Sequence, residues 1–346
     1  MAWPPAAYLH LRAAFARGDH AAVIADGVTL LARLTAEPER WDWAPAVALL
    51  VGDSLATREH HTEAIAWLEY GLRILPGTPV ARELRDGHHE HRLLAELYLL
   101  TGRWEQARVQ LEWLGRPDHP LESRLASLRG RTALAAARAD HDAAQWLLNT
   151  AADLARRSRS HLYRTLVDGD RAMVLASAGR FREALALADE VLPRLGATAP
   201  GPTQAWANAH AVMTATTLAR RAVETAEPGV AGRLLVAASV PAQRSGRAYL
   251  GAQLDLATAA LARLEGRRDV AERHLWRALD RFAALGTAPA LALAHLEAAR
   301  LAEASGFTQS AAALHRRALA ELSVLGMTRE AGEARRRLTT LAGSSG

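Results

Sequence analysis

RLLAELYLLTGRWEQARVQLEWL, residues Arg92–Leu114, holds two apolar faces and the reversal between them. Leu93, Leu94, Leu97, Tyr98 and Leu100 recur at helical spacing before Gly102, and Trp104, Ala107, Leu111 and Leu114 recur at spacings of three and four after it. The pattern predicts a helix, a tight turn and a second helix folded back on the first. Glycine suits the reversal because it takes positive φ without strain, and alanine suits the point where two helices approach closely.

With Ala107 as a ruler, the same phrase returns at Val23, Ala64, Ala144, Ala184, Ala231, Ala271 and Ala311, the eight positions lying 41, 43, 37, 40, 47, 40 and 40 residues apart. A unit this short cannot bury its apolar face alone and must stack on its neighbours. The expectation is an all-α chain: a right-handed superhelical solenoid of about eight antiparallel helix pairs, one domain over residues 1–342. In the longest step, Gly196-Ala-Thr-Ala-Pro-Gly-Pro202 predicts a bend near 196–202. Thr328 and the run Arg329–Leu338, with glutamates early and arginines late, predict a C-terminal capping helix, and 343–346 a disordered tail. All fourteen prolines are expected at helix ends or in connections, Pro193 after the fifth repeat and Pro241 at the close of a helix, since an interior proline costs about 3 kcal/mol.

Ala95, Tyr98, Gly102, Trp104, Ala107, Leu111 and Leu114 resemble the tetratricopeptide repeat, and Gly52, Leu55, Ala64, Leu68, Gly71 and Pro76 match it again one repeat earlier. The period near 40 resembles the long repeats in sensor domains of bacterial LuxR-type transcriptional activators. That resemblance implies a protein-interaction module in signalling or transcriptional regulation. Two hallmarks of those regulators are missing. The chain has no lysine, which forbids a Walker phosphate loop, and no helix-turn-helix segment stands outside the array.

Composition narrows the classes further. All 42 basic residues are arginine, 37 acidic residues are interspersed with them, and the net charge is only +5, the balance of a mixed-charge solvated surface rather than of a nucleic-acid stripe. Arg156-Arg157-Ser-Arg159, Arg316-Arg317 and Arg335-Arg336-Arg337 read as solvated helix ends, with nucleic acid or an acidic partner as the alternative. Cysteine is absent, so disulfides and thiolate metal sites are excluded. The N-terminus shows no secretory pattern and no stretch is apolar enough to cross a membrane, so a cytoplasmic location is expected.

Histidine is the residue type that invites a metal reading. His88-His89-Glu90-His91 is dense in ligands, but its spacing is not the i, i+4 of a helical zinc site, and only His88 and His91 share a face. A polar helix start is the primary reading, and a metal-dependent hydrolase the alternative. His20, His61 and His141 occupy the register of Trp104 and Phe181 and read as packing aromatics. No catalytic or cofactor motif stands out.

In this architecture the first helix of each pair lines the concave groove. Its polar residues are the binding candidates: Arg92, Glu96, Arg129, Asp168, Arg171, Gln204, Asn208, Gln253 and His295. Asparagine can clamp a peptide main chain and arginine can grip carboxylates. The plainer alternative for each is an interhelix hydrogen bond, and Asp168 with Arg171 could satisfy only each other. The expected partner is a protein or peptide. Self-association through Trp41 and Trp43, or through the terminal helix faces, is a second reading.

Overall fold

The computed structural model describes residues 6–36, 42–82, 84, 87–158, 160–197 and 202–343, the last range without the side chains of residues 202 and 203. Its helices are α1 (Ala6–Ala16), α2 (His20–Ala36), α3 (Ala44–Thr57), α4 (His61–Ile74), α5 (His88–Thr101), α6 (Trp104–Leu114), α7 (Leu121–Ala137), α8 (His141–Arg157), α9 (His161–Ser177), α10 (Phe181–Gly196), α11 (Pro202–Glu224), α12 (Pro228–Ser245), α13 (Ala248–Leu264), α14 (Arg268–Ala284), α15 (Ala288–Ala304), α16 (Thr308–Val324) and α17 (Thr328–Gly343). Among the described residues there is no strand. The architecture is an all-α helical repeat of eight pairs, α1/α2 to α15/α16, followed by α17. By its internal packing the chain divides into two units, residues 1–127 and 128–346, with the division inside α7.

The ruler position has one structural meaning throughout. Val23, Ala64, Ala107, Ala144, Ala184, Ala231, Ala271 and Ala311 are each the fourth residue of the second helix of a pair, and all eight are fully buried. There the side chain faces the partner helix just after the reversal, where a larger group would push the pair apart.

The reversal is equally uniform. Two residues before each second helix the backbone takes positive φ: Gly18, Glu59, Gly102, Ala139, Gly179, Ala226, Gly266 and Gly306. At Gly102 the following amide, Arg103 N, donates to Tyr98 O at 2.8 Å, which closes the end of α5 and turns the chain. Glu59, Ala139 and Ala226 make the same turn with a side chain present, at φ 61°, 58° and 57°. From Pro228 onward the helices start every 20 residues, at 228, 248, 268, 288, 308 and 328, so the 40-residue period there is two equal helical steps.

In the first unit, α3 packs on α4 and also on α1 and α5. Gly52 and Gly71 set the α3–α4 distance: a Cβ at Gly52 would lie 2.8 Å from Leu68 Cγ, and one at Gly71 2.6 Å from Leu49 Cδ2. Trp43 is buried against Tyr8, with ring centroids 5.0 Å apart, so it is not available for self-association; Trp41 lies outside the described residues. In the second unit the first helices of successive pairs lie side by side, α9 on α11, α11 on α13 and α13 on α15. Thr328 Oγ1 at the start of α17 donates to Arg138 O at 2.8 Å, so the last helix returns to the end of α7.

Two prolines depart from the expected pattern. Pro193 lies inside α10 and Pro241 inside α12, each in the closing part of its helix. The carbonyls that lose their partners, Asp189 and Ala237, belong to exposed residues and can take water, which lowers the cost. Most of the expected 196–202 bend, with Pro38, Asp86, Arg159 and residues 344–346, lies outside the described residues.

Candidate functional site

The predicted groove residues all sit on first helices, but they differ in what they touch. On α5, Arg92 donates to Glu96 at 2.6 Å and lies 3.2 Å from His89 Nδ1. His89 Nε2 in turn is 3.1 Å from Asp53 on α3, and that hydrogen bond raises the His89 pKa. These four residues form one polar chain across two adjacent first helices.

His88 and His91 do not form a metal site with their neighbours. Among the described residues no three His, Asp or Glu side chains converge on a point that could hold an ion. Instead the two rings pack around Trp113 together with His119. His91 stacks on the indole at a centroid distance of 3.8 Å and 29°, and His119 lies 4.2 Å from it. Burial lowers the pKa of His91, whose Nδ1 is 2.6 Å from Gln110 Oε1. The imidazoles thus act as ring-shaped packing groups, as His61 does at 4% exposure in the register of Trp104.

In the second unit, Arg129 on α7 finds a partner that the sequence reading passed over. Its Nε donates to Asp170 Oδ2 at 2.5 Å, and its Nη2 lies 3.2 Å from His210 Nδ1. His210 Nε2 is 3.5 Å from Asp170 Oδ1. With Nδ1 facing a guanidinium, the ring proton belongs on Nε2, which is buried with no hydrogen-bond partner among the described residues. Gly169 makes room for the ring, since a Cβ there would lie 2.5 Å from His210 Nε2. Burial pulls His210 down to a pKa of about 4. The three residues are 41 and 40 residues apart, close to one repeat, and that spacing was the available signal.

Other candidates turn toward their own helix or the adjacent second helix. Asp168 lies 3.8 Å from Arg194 on α10, and burial raises its pKa. Asn208, Gln253 and His295 are buried. Gln204 donates to Asn208 at 2.8 Å, Gln253 to Tyr249 at 2.9 Å, and His295 Nδ1 lies 2.6 Å from Glu321 on α16. Arg171 keeps a buried Nε with no hydrogen-bond partner among the described residues. One arginine of each cluster is tied to a nearby acid, Arg156 to Asp153, Arg317 to Glu321 and Arg337 to Glu303.

The densest polar site was not anticipated. It lies in a cleft of the second unit lined by Thr217, Arg220, Arg221, Glu224, Leu256, Leu293, Leu296, Glu297, Arg300 and Glu330, drawn from α11, α13, α15 and α17. Arg221 bridges Glu224 at 2.8 Å and Glu330 at 3.0 Å. Arg300 reaches Glu333 at 2.6 Å, Glu297 at 3.1 Å and Glu224 at 3.3 Å. Arg263 also holds the buried Glu297, and Arg329 holds Glu224 at 2.8 Å. Burial pushes the Glu224 carboxyl up, but Arg221, Arg300 and Arg329 together leave it below its ordinary range. The i, i+3 pairs Arg221/Glu224 and Glu297/Arg300 were visible in the sequence; their meeting across four helices was not. In comparison with known proteins, the chain matches no protein-family model, and no curated protein matches it significantly.

Proposed function

We propose that this chain is a non-catalytic scaffold that binds a protein or peptide along its first helices and serves a signalling or transcriptional-regulatory complex in a bacterium. The observation that supports this most is the side-by-side packing of first helices within each unit, which sets Arg92 and Glu96 in the first unit, and Arg171 in the second, among alanine and leucine. An extended segment could use such a row through main-chain hydrogen bonds and ion pairs. Affinity capture from the source organism tests it. A partner held by the wild type and lost separately by folded Arg92→Glu and Arg171→Glu variants supports the reading; identical capture by all three removes it.

Self-association is a second reading, and Trp146 and Trp276 favour it, because they stand 62% and 70% exposed on α8 and α14. Large exposed aromatics are common anchors of interfaces. Light scattering over a concentration series should show a dimer that Trp276→Ser dissociates; a monomer at every concentration discards this reading.

A further inference from the structure

Val236 on α12 and Trp276 on α14 are each the ninth residue of their helix, so they hold the same place on successive pairs, and they stand 73% and 70% exposed. Val240, one turn after Val236, adds to the same outer face at 48%. A folded chain rarely leaves side chains of this kind on one face in water unless something covers them.

The charges around Trp276 say what covers it. Arg273, Trp276 and Asp280 are all exposed, and at helical spacing they fall within an arc of about 60° on α14. Arg273 and Asp280 lie about 5 Å to either side of the point midway between Trp276 and Arg277. Arg268 pairs with Glu272, and Arg277 and Arg281 pair with Asp255, but among the described residues neither Arg273 nor Asp280 has an ion-pair partner. A stripe with a cation at one end, an acid equally far along the other and an aromatic between them is complementary to itself turned end over end. Set parallel, two such stripes would oppose arginine to arginine and aspartate to aspartate, which like-charge repulsion disfavours. On α8 the exposed Trp146 is flanked by Asp142 and Asn149, which offer a second copy no cation. We propose that this face docks a second copy of the chain about a two-fold axis that sets α14 antiparallel to its counterpart. The two Trp276 rings meet at the centre, each Arg273 pairs with the Asp280 of the other copy, and the valines of α12 extend the apolar contact. This dimer rests on the self-association reading and fixes its face and register.

Sedimentation over a concentration series tests it, with circular dichroism to check that each variant is folded; every substituted side chain is exposed. The wild type should dimerise. Arg273→Asp and Asp280→Arg should each weaken the dimer about tenfold or more, because an attraction becomes a repulsion twice in one interface. The chain carrying both changes should recover the dimer. So should an equimolar mixture of the two single variants, since each acid of the first then faces an arginine of the second. Trp146→Ser should leave the dimer intact. A monomer at every concentration removes self-association altogether, and this arrangement with it. A dimer that neither charge variant weakens, that the mixture fails to restore, or that Trp146→Ser dissociates leaves self-association standing and overturns the α14 two-fold.

Discussion

His210 shows how far a single side chain departs from its solution behaviour in this chain. Its pKa of about 4 lies below the ordinary histidine value of 6.5, so as pH falls the unfolded chain takes the proton first. Stability from this group is therefore fully present above about pH 6.5 and is lost progressively down to about pH 4, a change of about 3 kcal/mol. His91 and His315, also lowered by burial, act in the same direction. Urea unfolding at a series of pH values should show the decline, with a shallower slope in His210→Gln; an identical slope would mean the ring is not held neutral. Gly169→Ala should be destabilising by about 2 kcal/mol, because its Cβ would meet His210 Nε2 at 2.5 Å and Thr214 Oγ1 at 3.2 Å. Equilibrium denaturation checks it. Neither role was legible beforehand. Asp168 and Arg171 attracted the sequence reading as a local pair, whereas the bonded residue is Asp170, which faces a different helix.

Among the helices, the turns repeat most closely. Eight reversals share one backbone geometry, and three of them use residues that strain it. A non-glycine residue in the left-handed region costs roughly 1 kcal/mol or more, partly offset by the greater unfolded-chain freedom of glycine. Ala226→Gly is therefore expected to raise stability by about 0.5 kcal/mol or more. Gly266→Ala, at the same place one repeat later, should lower it by a similar amount. Paired melting curves test both signs together. Helix identity and phase were readable because the ruler residues repeat a purely local demand for a small side chain one turn after a reversal. Pro193 and Pro241 were misplaced because solvent-exposed carbonyls near a helix end tolerate what a helix middle would not.

Within the second unit, the ion network joins α11, α13, α15 and α17 over sequence separations as long as 109 residues. Arg300 is its hub, and Glu297 beneath it is only 3% exposed. Replacing Arg300 by Met leaves buried carboxylates without one of their cations and should cost about 3 kcal/mol, far more than an exposed pair would. Hydrogen exchange of the amides of α17 should quicken in that variant, since Glu333 loses its bond to α15. Unchanged exchange with unchanged stability would reduce the network to surface decoration. What the sequence by itself determined is the repeat: helix, turn and helix, the buried ruler, and the eight pairs with a terminal helix, all set by periodicity and side-chain size within about 40 residues. What only the tertiary structure decided is which polar residues meet. Arg220, Glu224, Arg300 and Glu330 come together through the packing of helices separated by as many as 109 residues along the chain, and no local pattern encodes a meeting at that distance.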